Sequence, residues 1–222
     1  MHGFRLAVGA LGAAGVLIAG AAPAAAEPAT APSPGSTVVG TSQAPAPTAS
    51  PLAEAPVRYE VKHKAWEQKE PSWCAPASVQ LSLRTFGVYV TQDTLADKMG
   101  TDSVGTSGAD MERVYDSYLE DEGYEMSWST AQDPEALMDA VSYDVGVLHK
   151  AIPLGVWGAE ASWIGADENF GHVVSVRGYD KEKDTFTIWD PWLGGYGGHH
   201  TVSADDLADA AQRNGLAYVH RL

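Results

Sequence analysis

Cys74 is the only cysteine in 222 residues, so no disulfide within the chain can staple the fold. Whatever this sequence builds has to be held by an apolar core. The chain also opens with Arg5, an Ala/Gly/Leu/Val stretch from Leu6 to Ala22 and the small residues Ala24, Ala25 and Ala26 ahead of Glu27. That pattern reads as a secretory signal over residues 1–26, removed before Glu27 and leaving no stable membrane anchor. A secreted protein meets an oxidising compartment, where a lone thiol is a liability unless it is buried or has chemistry to perform.

Residues 27–57 are rich in Ala, Pro, Ser, Thr and Gly and lack the apolar periodicity that offsets ordering entropy. They read as a flexible tether or a short pro-segment. What remains, 58–222, is about 165 residues, the size of one domain with one core. The formal net charge of −15 argues against nucleic acid and anionic lipid as partners. A monomer is expected.

The domain changes character along its length. After Cys74, the residues Ala75, Val79, Leu83 and Phe86 fit one helical face, although Val79, Leu81 and Leu83 also alternate as in a strand. Pro76 in a first turn and Gly87 at the end favour a buried helix of roughly three turns. A second helix is expected over Thr91–Met99, with Thr91 as N-cap and Gly100 beyond it. A third is expected from Gly108 or Ala109 to Asp121, and a fourth opens at Asp133-Pro134. Strands are expected at Arg58–His63, Tyr124–Ser129, Ile152–Trp157, His172–Tyr179, Thr185–Trp189 and Leu216–Arg221. A short helix, Ala204–Arg213, has Ser203 as cap and Gly215 past its end. Helices first and antiparallel strands second indicate an α+β domain.

Several residues could carry chemistry. A cysteine in the first turn of a helix has its thiolate stabilised by the dipole and by free backbone N–H groups. His172 follows Gly171 at the start of a Val-rich strand, and Asp190 ends another, with Pro191 stopping the ladder. Taken singly, Cys74 could be a buried small hydrophobe, His172 a satisfied strand histidine and Asp190 a turn aspartate. Gln68, six residues before Cys74, could donate to an oxyanion or be a loop glutamine. Trp73, Gly171 and Trp192 flank these positions and are candidate substrate-binding residues; Trp66, Trp128, Trp157, Trp163 and Trp189 read as core or rim. His199-His200, beside the glycine-rich run 194–198, has no clear third ligand and reads as a mobile loop, so neither metal nor cofactor is expected. Residues Gly158–Phe170 read as a surface loop over the cleft.

The set Gln68, Trp73-Cys74-Ala75-Pro76-Ala77-Ser78, Thr91-Gln92 with Leu95-Ala96, Gly105-Thr106, Gly171-His172-Val173-Val174 and Asp190-Pro191 resembles the C39-like branch of the papain-like cysteine peptidases over residues 60–222. The resemblance implies a papain-like fold, with the nucleophile helix of an N-terminal helical half packed on a C-terminal antiparallel sheet. It implies Cys74 as nucleophile, His172 as base, Asp190 as orienting acid and Gln68 as oxyanion donor. The implied activity is cleavage of peptide or isopeptide bonds through a thioester, acting on a peptide or protein substrate. The same residues would serve an amidase or acyltransferase, and an inactive extracellular binding domain could keep the fold. Ala75 stands where glycine is common, and the cysteine signature and disulfides of the lysosomal papain group are missing. The resemblance does not carry over double-glycine leader cleavage.

Overall fold

The computed structural model describes residues 54–129, 133–165, 170–212 and 216–221. The signal expected over 1–26, and all of the tether before Glu54, lie outside them, as do Arg213 and Gly215 at the end of the last expected helix. Among the described residues, no helix is long and apolar enough to cross a membrane.

The first half is helical. Helix α1, Cys74–Thr85, is buried along Ala75–Leu83, which is why its apolar residues obey no clean single face. Gly87 (φ +81°) reverses the chain beyond it, and the Val88 N–H bonds back to the Leu83 carbonyl at 3.0 Å. Helix α2 spans Gln92–Met99, capped by the Thr91 hydroxyl and closed by left-handed Gly100. Helix α3, Gly108–Leu119, is capped by Ser107 and buries Met111, Val114, Tyr115 and Leu119. It gives way to a 3-10 turn at Glu120–Glu122, two residues before the α-helical end expected near Asp121 would have allowed. Asp133 caps α4, Pro134–Val141, with Pro134 in the first turn, and a π-helical segment, Ser142–Val147, continues from it.

The second half is an antiparallel sheet. Its strands are β1 (Arg58–Glu60), β2 (Tyr124–Ser129), β3 (Ile152–Trp157), β4 (Gly171–Asp180), β5 (Thr185–Asp190), β6 (Gly198–Ser203) and β7 (Leu216–Arg221), with α5 (Ala204–Ala211) after β6. The order is β2-β7-β3-β4-β5-β6, and β1 covers the stretch of β4 that β3 leaves open. This is an α+β fold, as the change of pattern along the chain predicts.

One expectation is corrected here. His199-His200 lies in β6 and not in a mobile loop, with His199 opposite Trp189 and His200 opposite Ile188. A glycine run mimics a loop locally, but a neighbouring strand supplies the ladder that the local sequence does not advertise. Being adjacent in a strand, the two imidazoles project to opposite faces.

The two halves meet where α1 packs on β3 and β4. Ser78 stands one turn beyond Cys74 on the same helix face, and its hydroxyl donates to the Val173 carbonyl at 2.9 Å. The Ser175 hydroxyl returns a bond of 3.4 Å to the Ser78 carbonyl. These contacts fix the axial position of α1 against β4, and therefore of Cys74 against His172.

Candidate active site

Cys74 is the first residue of α1. Among the described residues, α2 to α5 each have a side-chain cap and an acid in the first turn, whereas α1 has neither. Its uncapped N–H groups and dipole are therefore available to an anion at Cys74. Cys74 as a residue is partly buried, and it lines a cleft of about 450 Å³.

His172 and Asp190 approach from the sheet. Both are buried, and His172 Nε2 lies 2.8 Å from Asp190 Oδ1. That leaves Nδ1, which has no conventional hydrogen-bond partner among the described residues, as the nitrogen available to the Cys74 thiol, with which the imidazole interacts. Burial alone would strip the charge from each member. For His172, the Asp190 bond and the Cys74 thiol outweigh burial and push the imidazolium up to about 9. For Cys74, His172 and the backbone of Val173 and Ala75 outweigh burial and hold the thiol below its ordinary range. The same balance lowers Asp190, through His172, the Trp163 indole and the Trp192 backbone. Both shifts run toward the charged forms, thiolate at Cys74 and imidazolium at His172.

Aromatic rings enclose the imidazole. Phe170 and Trp192 each meet it edge-on, at 6.0 and 5.7 Å, and stack on one another at 5.5 Å. Trp192 also stacks on Tyr196 at 5.2 Å. Gly197 is required beneath this arrangement, because a Cβ there would overlap the Trp192 carbonyl oxygen. The segment read as a loop over the cleft is more closely integrated than that. It begins with a 3-10 turn at Gly158–Glu160, buries Ala161 and sends the Trp163 indole to Asp190. Phe170, at its far end, lines the cleft. No local signal marked Trp163, because its partner lies 27 residues away.

Gln68 is buried, and its main-chain N–H bonds the Pro191 carbonyl at 2.6 Å, tying its loop to the one that follows Asp190. Its side-chain nitrogen donates to the carbonyls of Glu70 and Pro71, at 2.9 and 2.8 Å, while Oε1 is buried with no hydrogen-bond partner among the described residues. In this arrangement both amide hydrogens are turned into the loop. Gln92 braces that loop, accepting from the Lys69 N–H and donating to the Glu67 carbonyl, both at 2.9 Å. The Thr91-Gln92 motif therefore acts as support, a role its spacing did not disclose.

Gly171 and Trp192 line the cleft beside Cys74 and His172. Trp73 does not. It lines a neighbouring depression with Glu70, Pro71 and Thr101–Ser103, since consecutive residues at a helix start point about 100° apart. The opposite wall of the cleft is the loop Ser103–Gly108, folded on Asp102, whose carboxylate accepts from the N–H groups of Val104 and Gly105 at 2.7 and 3.2 Å. Among the described lining residues none is Asp, Glu, Lys or Arg. Among the described residues no group of three or more His, Cys, Asp or Glu could hold a metal ion.

Residues 56–212 match the model of the Peptidase_C39 like family. The chain belongs to that family. Among curated proteins, none matches this sequence. Solved structures similar to this C39-like chain include the peptidase domain of Streptococcus ComA, a bi-functional ABC transporter involved in quorum sensing, at 16% identity and TM-score 0.51, covering 72% of this chain and 98% of that one. Xylellain, a cysteine protease from Xylella fastidiosa, aligns at 14% identity and TM-score 0.51, over 77% of this chain and 88% of its own. A double glycine motif protease from an AMS/PCAT transporter, in complex with the leader peptide, aligns at 14% and 0.51, over 74% and 95%. At these identities the likeness establishes the shared papain-like fold, and the family match supports a cysteine peptidase function.

Proposed function

We propose that this C39-like chain is a thiol hydrolase that cleaves peptide bonds through Cys74, His172 and Asp190. The observation that carries the reading is the buried His172–Asp190 pair, which leaves Nδ1 for a thiol at an uncapped helix start on the wall of a cleft. The Cys74 thiolate attacks the carbonyl carbon, and the carbonyl π electrons move to oxygen. His172 then protonates the leaving amine, which departs and leaves a thioester on Cys74. Water, deprotonated by His172, attacks the thioester; the C–S bond breaks, the acid is released and the thiolate and imidazolium are restored. Asp190 orients His172 and favours its cation. Backbone N–H at Cys74 receives the oxyanion, and Gln68 contributes by exchanging one loop bond for the developing charge.

Beyond Cys74 and His172, the described lining holds no Asp, Glu, Lys or Arg, which suits an uncharged substrate side chain next to the scissile bond. That a leader peptide occupies one protein of this fold supports an extended peptide as ligand. The test is unbiased peptide-library profiling of wild type beside Cys74→Ser. Cleavage that depends on Cys74 is expected; cleavage equal in both, or none in either, refutes the reading. Residues 1–26 are proposed as a secretory leader, on their charged, apolar and small-residue order, and 27–57 as a tether to the domain. N-terminal sequencing of exported protein tests this, with Glu27 as the expected first residue.

A further inference from the structure

Asp190 is fully buried, and its two oxygens are served differently. Oδ1 accepts from His172 Nε2 at 2.8 Å and from the Trp192 N–H at 2.9 Å. Oδ2 accepts from the Trp163 indole at 2.9 Å. A carboxylate turns easily about its last torsion, and such a turn moves both oxygens together, so a bond that holds Oδ2 also resists displacement of Oδ1 from His172. We infer that Trp163 is a positioning residue, whose indole N–H holds Oδ2 of Asp190 and thereby keeps Oδ1 aimed at His172; this rests on the role proposed above for that pair.

The choice of donor matters. An indole N–H donates without titrating or carrying charge. An arginine or lysine in its place would neutralise the carboxylate and weaken its hold on the imidazolium. Among the described residues, the titratable side chain bonded to Asp190 is His172, and the His200 ring lies behind the indole. Trp163 is itself well held. Its turn is closed by Ile164 N–H to the Ala161 carbonyl at 2.9 Å, and Ala161 is buried. Its ring lies 6.0 Å from that of His200, whose Nε2 contacts the Tyr196 carbonyl at 2.7 Å. Tyr196 stacks on Trp192, the donor at the other oxygen. Both sides of the carboxylate therefore lean on one framework, built from the segments on either side of β4 and β5.

The test is an NMR titration of the His172 ring in the full chain, its signal assigned by loss in His172→Gln. Trp163→Phe keeps a ring and deletes the donor, whereas Trp163→Gln places an uncharged amide N–H the same number of bonds from Cα as the indole N–H. The wild-type midpoint is expected at about 9. Trp163→Phe should lower it by about one pH unit, and Trp163→Gln should stay within about 0.3 of wild type, since only the former deletes the donor to Oδ2. Should the Phe variant not fold, Trp163→Met serves as the donor-free filler. Equal shifts in donor-free and donor-keeping variants would mean that Trp163 only packs, and would overturn the assignment. So would an unchanged or raised midpoint in Trp163→Phe, the latter showing that the indole merely drains charge from Asp190. A wild-type midpoint near 6.5 removes the ion pair and the positioning role together. A wild-type midpoint near 9 that ignores Trp163 removes the positioning role alone.

Discussion

If Cys74 and His172 rest as an ion pair, the reactivity of the thiol has to be almost indifferent to pH where an ordinary thiol is not. An ordinary cysteine, at about 9.0, loses thiolate about tenfold per pH unit, so its alkylation slows about 100-fold between pH 8 and pH 6. Here the charge on His172 persists up to about 9 against an ordinary 6.5. That difference corresponds to roughly 3 kcal/mol favouring the imidazolium, despite burial that opposes it. Across pH 6 to 8 the cation is therefore in place, and it holds the Cys74 thiol below its ordinary value. Carboxamidomethylation of Cys74 by iodoacetamide, followed by mass spectrometry on the full chain, is expected to change by less than about threefold over that interval. The companion perturbation is His172→Gln. Burial, the largest influence on the thiol, then acts unopposed by a cation and pushes Cys74 above its ordinary value. The variant should regain the steep tenfold-per-unit dependence and react more slowly than a free thiol near neutrality. A wild-type profile that falls 100-fold, or a His172→Gln profile as flat as wild type, would refute the ion pair and the reasoning from burial that leads to it.

Stability should show the same pair from the other side. The His172 contribution is complete below pH 6.5 and is lost as pH rises through about 9, while that of Cys74 is complete above 9.0 and is lost as pH falls toward its lowered value. Where the folded pair is thiolate and imidazolium and the unfolded pair thiol and neutral imidazole, each holds one proton and the slopes cancel; urea melts should show Cys74→Ser losing stability relative to wild type as pH rises above 6.5, and parallel curves would count against the linkage. Gln68→Ala is expected to lower kcat by about 10- to 100-fold on a substrate identified by profiling, while leaving the alkylation profile flat; equal kcat would show that the amide serves only its loop. Ser78→Ala removes the bond that registers α1 on β4 and should cost about 1–2 kcal/mol in urea unfolding, a loss absent if that contact carries no load.

Much of this fold is written in short stretches of sequence. Thr91, Asp133 and Ser203 announce their helices because capping is satisfied within three residues; alternation marks β5 because one face is buried, while β3 and β4, buried on both faces, read as short apolar runs. Cys74, His172 and Asp190 stood out for their residue types and their neighbours. The features that escaped are non-local. Strand β6 looks like the tail of a glycine loop until β5 is beside it. Trp163, Gln92 and the backbone link from Gln68 to Pro191 act on partners 23 to 123 residues away in this chain, and nothing in their own flanks encodes the partner. Trp73 illustrates a different limit. Adjacency to Cys74 suggested a cleft residue, but one step around a helix carries a side chain out of it.

The seam between α1 and β4 has a consequence for the life of the chain before it is folded. The thiol belongs to the helical half, whereas the imidazole and the carboxylate that sharpen it belong to the sheet. Until Ser78 seats on Val173, the chain carries an unremarkable cysteine at its ordinary acidity. Under the proposed mechanism, hydrolytic reactivity is thus gained at the moment of docking and surrendered on unfolding, so a nascent or damaged copy would cleave nothing without needing an inhibitor to silence it.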